Sequence, residues 1–481
     1  MGKLRIALIS QPFYEISFPS PRDALGIWIY EVARRLANRC EVTVYTTGRA
    51  FKRTSTVHEG VCYQYLPILP ERLLMKMLER NPFFHNFKRP LFSSQLYYRF
   101  YGVEVAQDLK RRQVEVVHIL TFSQFIPIFR RFNPEIKIVF NMRDELLTNL
   151  DLNMIEKRLA QSTSIVGCSQ YITDKVPAKF PQFSQRCQTI YNGIDENLFG
   201  TSPAHPSNRP VRELEWKPPG GGLPLQLPYA SHRSKTKGIP HQLLFVGRVS
   251  PDKGVHILLE AFQIIVNDYP NVQLKIVGPT GLLPRDLIVA FSEDPVVARM
   301  AAKFYRFDLE SYRSQLRHRS GLKRYWPKRD TFWRQYLARW RETASAADRV
   351  EFVGSVPHAK LVDFYQQADI FVLPSILNEA FGVPVAEAMA VGLPVVAARS
   401  GGIPEVVEVG KTGLLVERSN ADALASAILS LLSNEILRQS LGQAGRKRAL
   451  ECFSLDRVAE TFLRHYQNLC DRKESAIIQD L

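Results

Sequence analysis

Cysteine is scarce in this 481-residue chain. There are six, Cys40, Cys62, Cys168, Cys187, Cys452 and Cys470, with no C-x-x-C pair and no histidine cluster at zinc spacing. That excludes a disulfide frame and a structural zinc site, and it fits reduced thiols in the cytoplasm. No D-x-D triplet occurs, so a metal bridging a diphosphate is not indicated and no metal ligands are expected. No apolar run approaches the roughly 18 residues of a spanning helix. The opening "MGKLRIALIS" is basic and then apolar, but its apolar part is too short for a signal peptide and reads as a first strand. There is no tandem repeat of about 20–50 residues, which argues against a solenoid.

Apolar residues, by contrast, are ample at 45%, enough for large cores, and the length suits two or more domains. The net charge of +16 asks for an anionic partner: nucleic acid, an anionic membrane or a phosphorylated small molecule. Residues 4–10 form an apolar run. A loop, the helical pattern "IWIYEVARRLANR" and the strand-like "CEVTVYTT" follow, which together make a βαβ unit. Further strand signals lie at 114–120, 137–142 and 164–169. Residues 201–240, rich in Pro, Gly and Ser, read as a linker or insertion. A second series then begins with "HQLLFVGR", a helix over 254–268, "VQLKIVG", "VEFVG", "DIFVLP" and "LPVVAA". The expectation is an α/β protein of two doubly wound, Rossmann-like domains with an interdomain cleft. The boundaries are 1–200, completed by a C-terminal helix over 454–481, and 241–453.

In "LLFVGRVSPDKG" a strand ends at Val246, Gly247 permits close backbone approach, and a helix begins near Gly254. Arg248 and Lys253 flank that turn. A strand end, a helix N-terminus and two cations make a diphosphate site, or else two solvated surface cations. In "NEAFGVPVAEAMAVGLPVVA", Pro384 suits a first helical turn and Gly392 a C-terminal stop. Phe381, Gly382 and Val383 then present N–H groups at a helix N-terminus. Glu379 and Glu387 would repel phosphate but suit hydroxyl donors, such as those of a sugar or a ribose. By themselves two acids near a helix start are also what the helix dipole favours.

The run from "YNGID" through "VGRVSPDKG", "VEFVGSVPHAKLVDFYQQADIFVLPS", the two-glutamate stretch and "GGIPEVV" resembles the retaining GT-B glycosyltransferases of the glycogen-synthase-like, group 1 class. The match is dense over about residues 188–280 and 350–460 and weaker over 1–187. The resemblance implies transfer of a sugar from a nucleotide-diphosphate donor to a saccharide or lipid-linked acceptor, with no cofactor. It implies that Arg248 and Lys253 bind the donor diphosphate and that Glu387 holds the ribose hydroxyls. Glu379, with the backbone of Ala380, Phe381 and Gly382, would hold the donor sugar. The segment Gly354–Val356 would contact the base. Asn192 and Gly193 would line the interdomain cleft, and Gly26 would approach the donor phosphate or the acceptor. The final helix would cross back onto the N-terminal domain. Two departures stand out. Only Leu25-Gly26 occupies the first loop, where the family has two adjacent glycines. Arg143-Asp144 follows "IVFNM", where the family commonly has His-Asp. Arginine is bulkier and always protonated, so Arg143 would neutralise the departing phosphate, alter donor choice, or mark an inactive sugar-nucleotide-binding protein.

Between "KIVGP" and "VEFVG" lies a basic insertion, about 281–348. Over 303–341 twelve lysines and arginines stand against three acids, and Trp326, Trp333 and Trp340 repeat every seven residues with Phe332, Tyr336 and Leu337 on the same stripe. One reading is a helix docked on its own domain with a solvated basic back. The other is a basic amphipathic helix on an anionic membrane, which would make the protein peripheral at the inner face. Residues 73–92, "LLMKMLERNPFFHNFKRPLF", admit the same two readings. Nucleic acid is disfavoured because no recognised binding module accompanies the charge.

Overall fold

The computed structural model describes residues 2–12, 15–18, 23–48, 52–78, 88–200, 240–284, 288, 293–305 and 331–479, with side chains of the last helix described as far as Asp471. The linker over 201–239, the core of the basic insertion with Trp326, and residues 79–87 lie outside the described residues. The chain divides into two compact units. One holds residues 1–193 and 455–481; the other holds the described residues of 194–454.

The first unit is built on an eight-stranded sheet. In chain order its strands are β1 (Leu4–Ile9), β2 (Cys40–Gly48), β3 (Thr54–His58), β4 (Val61–Pro67), β5 (Val116–Leu120), β6 (Lys137–Met142), β7 (Ser164–Gly167) and β8 (Cys187–Thr189). The sheet order is β3-β4-β2-β1-β5-β6-β7-β8, parallel except for β3, which runs antiparallel to β4. β1, β5 and β6 are almost wholly apolar because both faces of a parallel sheet are covered by helices. The β3–β4 hairpin has no counterpart in the sequence reading. Its turn is Glu59-Gly60, both with positive φ, and β3 is an exposed edge strand with no apolar run to announce it. The first helix, Ala24–Leu36, starts three residues before the periodic pattern, because Asp23 caps it by accepting from the Gly26 N–H at 2.9 Å. The last helix, Leu455–Gln479, packs Val458, Phe462 and Tyr466 against Trp28 and Val32 of that first helix.

The second unit carries β9 (His241–Val246), β10 (Val272–Val277), β11 (Val350–Gly354), β12 (Ile370–Leu373), β13 (Val395–Ala398) and β14 (Leu414–Val416). The order is β11-β10-β9-β12-β13-β14, with every pairing parallel. Numbered from the first strand of the unit, this is the Rossmann order, and the direction of winding reverses between β9 and β12.

The insertion contributes two described helices to this unit, Pro295–Tyr305 and Thr331–Thr343. Trp333, Leu337 and Trp340 are buried, and the Trp333 indole N–H donates to the Val249 carbonyl at 2.9 Å. Phe304 meets Trp333 and Tyr336 edge-on and lies 4.4 Å from the His256 ring. Over Thr331–Thr343 this corrects the membrane reading, while residues 306–330 of the same stretch lie outside the described residues. The tryptophan stripe of Thr331–Thr343 is core packing, and Trp333 and Trp340 are not available to a lipid interface. Among the described residues no helix is long and apolar enough to cross a membrane.

Candidate active site

In a doubly wound sheet, ligands bind beyond the carboxyl ends of the strands at the point of reversal. In the second unit the two loops there follow β9 and β12, and they carry Arg248 and Lys253 on one side and Glu379 on the other. After β9, Gly247 leads into Arg248, then a tight turn at Pro251–Lys253, then Gly254 and the helix Val255–Asp268. Gly254 sits at φ +72, and a Cβ there would collide with the Pro374 carbonyl oxygen, so only glycine lets the two loops approach this closely.

The charged side chains do not project freely from this turn. Lys253 Nζ meets Glu379 Oε1 at 2.6 Å, and the Ser375 hydroxyl donates to the same oxygen. Arg248 Nη2 donates to Asp252 Oδ2 at 2.7 Å, and its Nε to the Ser250 hydroxyl at 3.3 Å. Asp252 is fully buried, and its Oδ1 has no hydrogen-bond partner among the described residues. Burial alone would raise the Glu379 pKa, but Lys253, Ser375 and Arg248 outweigh it and hold the carboxyl below the ordinary glutamate range. The carboxylate is therefore ionised at neutral pH, and one of its oxygens already holds two donors. An arginine has five donors, so Arg248 keeps capacity for an anion while bound to Asp252.

Beyond Glu379, the helix Val383–Val391 begins at Gly382, which has φ +96 and offers no capping side chain, and it has no acid in its first turn. Pro384 occupies its first turn, and Gly392 closes it at φ +96, as the sequence pattern predicts. Ala380 and Phe381 lie in the approach to this N-terminus. Phe381 is buried, with its ring 5.2 Å from that of Phe453. Glu387 lies one turn further in and is buried. Its Oε1 is 2.7 Å from His358 Nε2, and its Oε2 accepts from the Tyr365 hydroxyl at 2.9 Å. Burial, then the Glu387 charge, raises the Tyr365 pKa well above that of a free phenol. The sequence reading gives Glu387 as open to hydroxyl donors; the structure gives each of its oxygens a protein partner. His358 follows Gly354 and Val356 in the loop after β11, and its ring lies 5.4 Å from that of Phe199. Gly354, at φ +83, accepts the Gly278 N–H at 2.8 Å, so the ends of β10 and β11 stay together.

The remaining predicted residues belong to the first unit. Arg143, just past β6, lays its guanidinium over the Trp28 ring at 4.4 Å and donates from Nη2 to Asn192 Oδ1 at 2.9 Å. Burial lowers its pKa, and its charge, after burial itself, helps press the neighbouring His118 down to about 3. Gly26 lies two residues before Trp28 with its N–H held by Asp23. Gly193 packs beneath Val458 and Leu455, where a Cβ would come within 2.9 Å of the Val458 side chain. His358, Tyr365, Ser375, Asp252 and Trp28 escape the sequence reading. Of these Asp252 and Ser375 leave a local signal, each four residues from its partner, Arg248 and Glu379; the others meet their partners across longer stretches of chain.

A Rossmann sheet whose reversal point is lined by an arginine, an ion-paired lysine and an uncapped helix start is a nucleotide-binding arrangement. The glycosyl transferases group 1 family matches residues 231–308 and 330–448, and Glycosyltransferase Family 4 matches residues 25–198. The chain is similar to the spore coat protein SA of Bacillus subtilis (strain 168), 25% identical over 96% of this chain and 99% of that one. In structure it is similar to sucrose-phosphate synthase of Thermosynechococcus elongatus, with a TM-score of 0.65, 20% identity, and coverage of 98% of this chain and 100% of that one. It is also similar to HepE of Anabaena, solved with UDP and glucose, with a TM-score of 0.59, 16% identity, and coverage of 96% and 99%. The chain belongs to the group 1 glycosyltransferases, with the two-Rossmann GT-B architecture. Its activity is glycosyl transfer from a nucleotide sugar.

Proposed function

We propose that the protein is a retaining, metal-independent glycosyltransferase that takes a nucleoside-diphosphate sugar as donor and a saccharide or lipid-linked saccharide as acceptor. The observation that carries this reading is the meeting of Arg248, Lys253 and the Gly382 helix start with Glu379 at the reversal point of the second sheet. In the proposed reaction the bond from the sugar C1 to the diphosphate oxygen breaks. A bond to an acceptor oxygen forms on the same face, and the acceptor proton passes to the departing phosphate. Negative charge grows on the leaving diphosphate, and two fixed cations and a helix N-terminus oppose it without reorganising. Glu379 orients the Lys253 ammonium and accepts from sugar hydroxyls through its second oxygen. Glu387, held by His358 and Tyr365, takes the ribose hydroxyls. The UDP bound by HepE makes uracil the first base to try.

Labelled nucleoside-diphosphate sugars, offered with a panel of saccharide and polyprenyl-phosphate acceptors in excess chelator, test the reading. Product with the donor's anomeric configuration supports it; inverted product, or turnover lost on chelation, overturns it. A second reading, a sugar-nucleotide-binding protein without turnover, is favoured by Arg143, which stands in place of the expected histidine and is already engaged by Trp28 and Asn192. Nucleotide binding by calorimetry with no transfer to any acceptor would select it.

A further inference from the structure

The loop after β12, from Ser375 to Glu379, is irregular, so its backbone groups must find partners outside a sheet or helix ladder. The peptide that joins Ile376 to Leu377 is gripped at both ends. Its N–H, that of Leu377, donates to the Asp252 carbonyl at 3.1 Å, and the Ile376 N–H donates to the same oxygen at 2.9 Å. Its carbonyl, that of Ile376, accepts from Arg418 Nη1 at 2.9 Å. Asp252 is the residue whose carboxylate holds Arg248, and Glu379, three residues beyond Ile376, holds Lys253. One peptide therefore ties the loop that carries both cations to the loop that carries Glu379.

Arg418, two residues past β14, is itself held by the insertion. The same Nη1 meets Asp294 Oδ2 at 2.6 Å, and the two side chains are mostly withdrawn from water, at 19% and 20% exposed. Asp294 uses its other oxygen to cap the helix Pro295–Tyr305, accepting from the Val296 N–H at 2.9 Å. The ion pair fixes a side chain that in water would sample many rotamers, and so aims it at the Ile376 carbonyl. Near its other end the same helix sets Phe304 edge-on to Trp333, ring centroids 5.4 Å apart, and Trp333 donates to the Val249 carbonyl beside Arg248. The insertion reaches both loops of the site, one through Trp333 and the other through Asp294 and Arg418.

We propose that Arg418 and Asp294 are positioning residues of the donor site. Through the Ile376–Leu377 peptide they hold Asp252 and Glu379 where Arg248 and Lys253 can meet a diphosphate. The inference rests on the reading of that site as the nucleoside-diphosphate site and adds to it the device that spaces its two walls. The test is calorimetric titration of the full chain with UDP, GDP and ADP, each variant first checked for folding by circular dichroism. Arg418→Met is expected to lose at least tenfold in affinity for the nucleotide that the parent binds. Asp294→Asn keeps the helix cap, because an amide oxygen can also accept from the Val296 N–H, but it removes the charge, and it should lose several-fold. The double variant should bind no more weakly than Arg418→Met alone, since both changes act through one peptide. Both bonds of Arg418 come from a single nitrogen, so a lysine ammonium can make them, and Arg418→Lys should recover most of the parent affinity. Should Arg418→Met fail to fold, Asp294→Asn and Arg418→Lys decide between them. Lys253→Met, which strikes the site directly, separates this inference from the reading beneath it. Weakened binding in Lys253→Met with parent affinity in Asp294→Asn and Arg418→Met overturns the positioning role and leaves the donor site standing. Parent affinity in all three, or no binding of any of the nucleotides by the parent, overturns the donor-site reading and the inference with it. A loss in Arg418→Met that Arg418→Lys does not recover also overturns the inference, because it then follows from disturbed packing and not from the two bonds.

Discussion

Lys253→Met removes the ammonium that sits 2.6 Å from Glu379, and the consequences can be worked from the geometry. The Lys253 side chain is 26% and the Glu379 side chain 13% exposed, so the pair is mostly withdrawn from water. Breaking a fully buried pair costs about 3–5 kcal/mol; with a quarter of the lysine exposed, a charged hydrogen bond of about 1.5–3 kcal/mol is the better guide. Ser375 still donates to the orphaned carboxylate, which softens the loss. Glu379→Gln removes the charge that burial penalises, and the double variant removes both. A cycle over the four proteins should give a coupling of about 1–2 kcal/mol at pH 7. Its pH dependence has a definite sign. The Glu379 pKa is depressed in the fold, so its contribution is present above the unfolded value of about 4.3 and is lost as pH falls through the folded value. Denaturant titration of the second unit at pH 7 and in acid measures this. The same variants report on function. Under the proposed mechanism Lys253 has two claimants, Glu379 and the diphosphate. Glu379→Gln should therefore tighten nucleoside-diphosphate binding several-fold while slowing transfer, and Lys253→Met should weaken binding at least tenfold. A coupling below about 0.3 kcal/mol, the usual scatter for independent sites, together with unchanged nucleotide affinity in both variants, refutes the assignment.

Tyr365→Phe takes one hydrogen bond from Glu387 and should cost about 1.5–3 kcal/mol of stability and weaken nucleoside-diphosphate binding, read by calorimetry; unchanged affinity would mean that His358 alone orients the carboxylate. Trp333→Ala should cost about 3–5 kcal/mol in a denaturant melt and leave the Val249 carbonyl with only the longer bond from the Gly281 N–H; a neutral result would contradict its burial. Burial presses His118 and His256 to about 3, so the fold keeps them neutral while the unfolded chain takes up protons below about 6.5. Stability is then complete above that value and falls as pH drops toward 3, and His256→Phe should flatten the fall in the second unit's melting temperature between pH 7 and 5. Arg143→His should change the donor profile or the transfer rate, and it should unseat the cation from Trp28, visible as a change in indole fluorescence.

The central strands of both sheets are legible because a doubly covered parallel strand is mostly apolar, and "LRIALI", "VVHIL", "IFVL" and "VVAA" are. The helix Val383–Val391 is legible from Pro384 and Gly392, which fix its ends chemically. Partnership is what the sequence withholds. Nothing near Lys253 announces Glu379, 126 positions away, or near Glu387 announces Tyr365 and His358. Periodicity also stops short of direction. The stripe of Trp333, Leu337 and Trp340 is plain, but whether it faces lipid or core depends on the helix Pro295–Tyr305, which its own pattern does not name. The helix Leu69–Leu78 fails in the opposite sense. Its leucines predict an inward face, and a neighbouring helix short of a cap claims the glutamate instead.

The insertion that lengthens the second unit is not a detachable cassette. Trp333 is bonded to Val249, which lies between Arg248 and Lys253 in the chain, and Phe304 stacks near His256 at the start of the helix that follows them. A lineage that gained these two aromatic helices had to rebuild the wall behind its cationic loop at the same time. A lineage that lost them would uncover Val249 and His256. Anyone shortening the chain meets the same boundary: a cut that reaches into Pro295–Tyr305 or Thr331–Thr343 removes the backing of the loop that carries both cations.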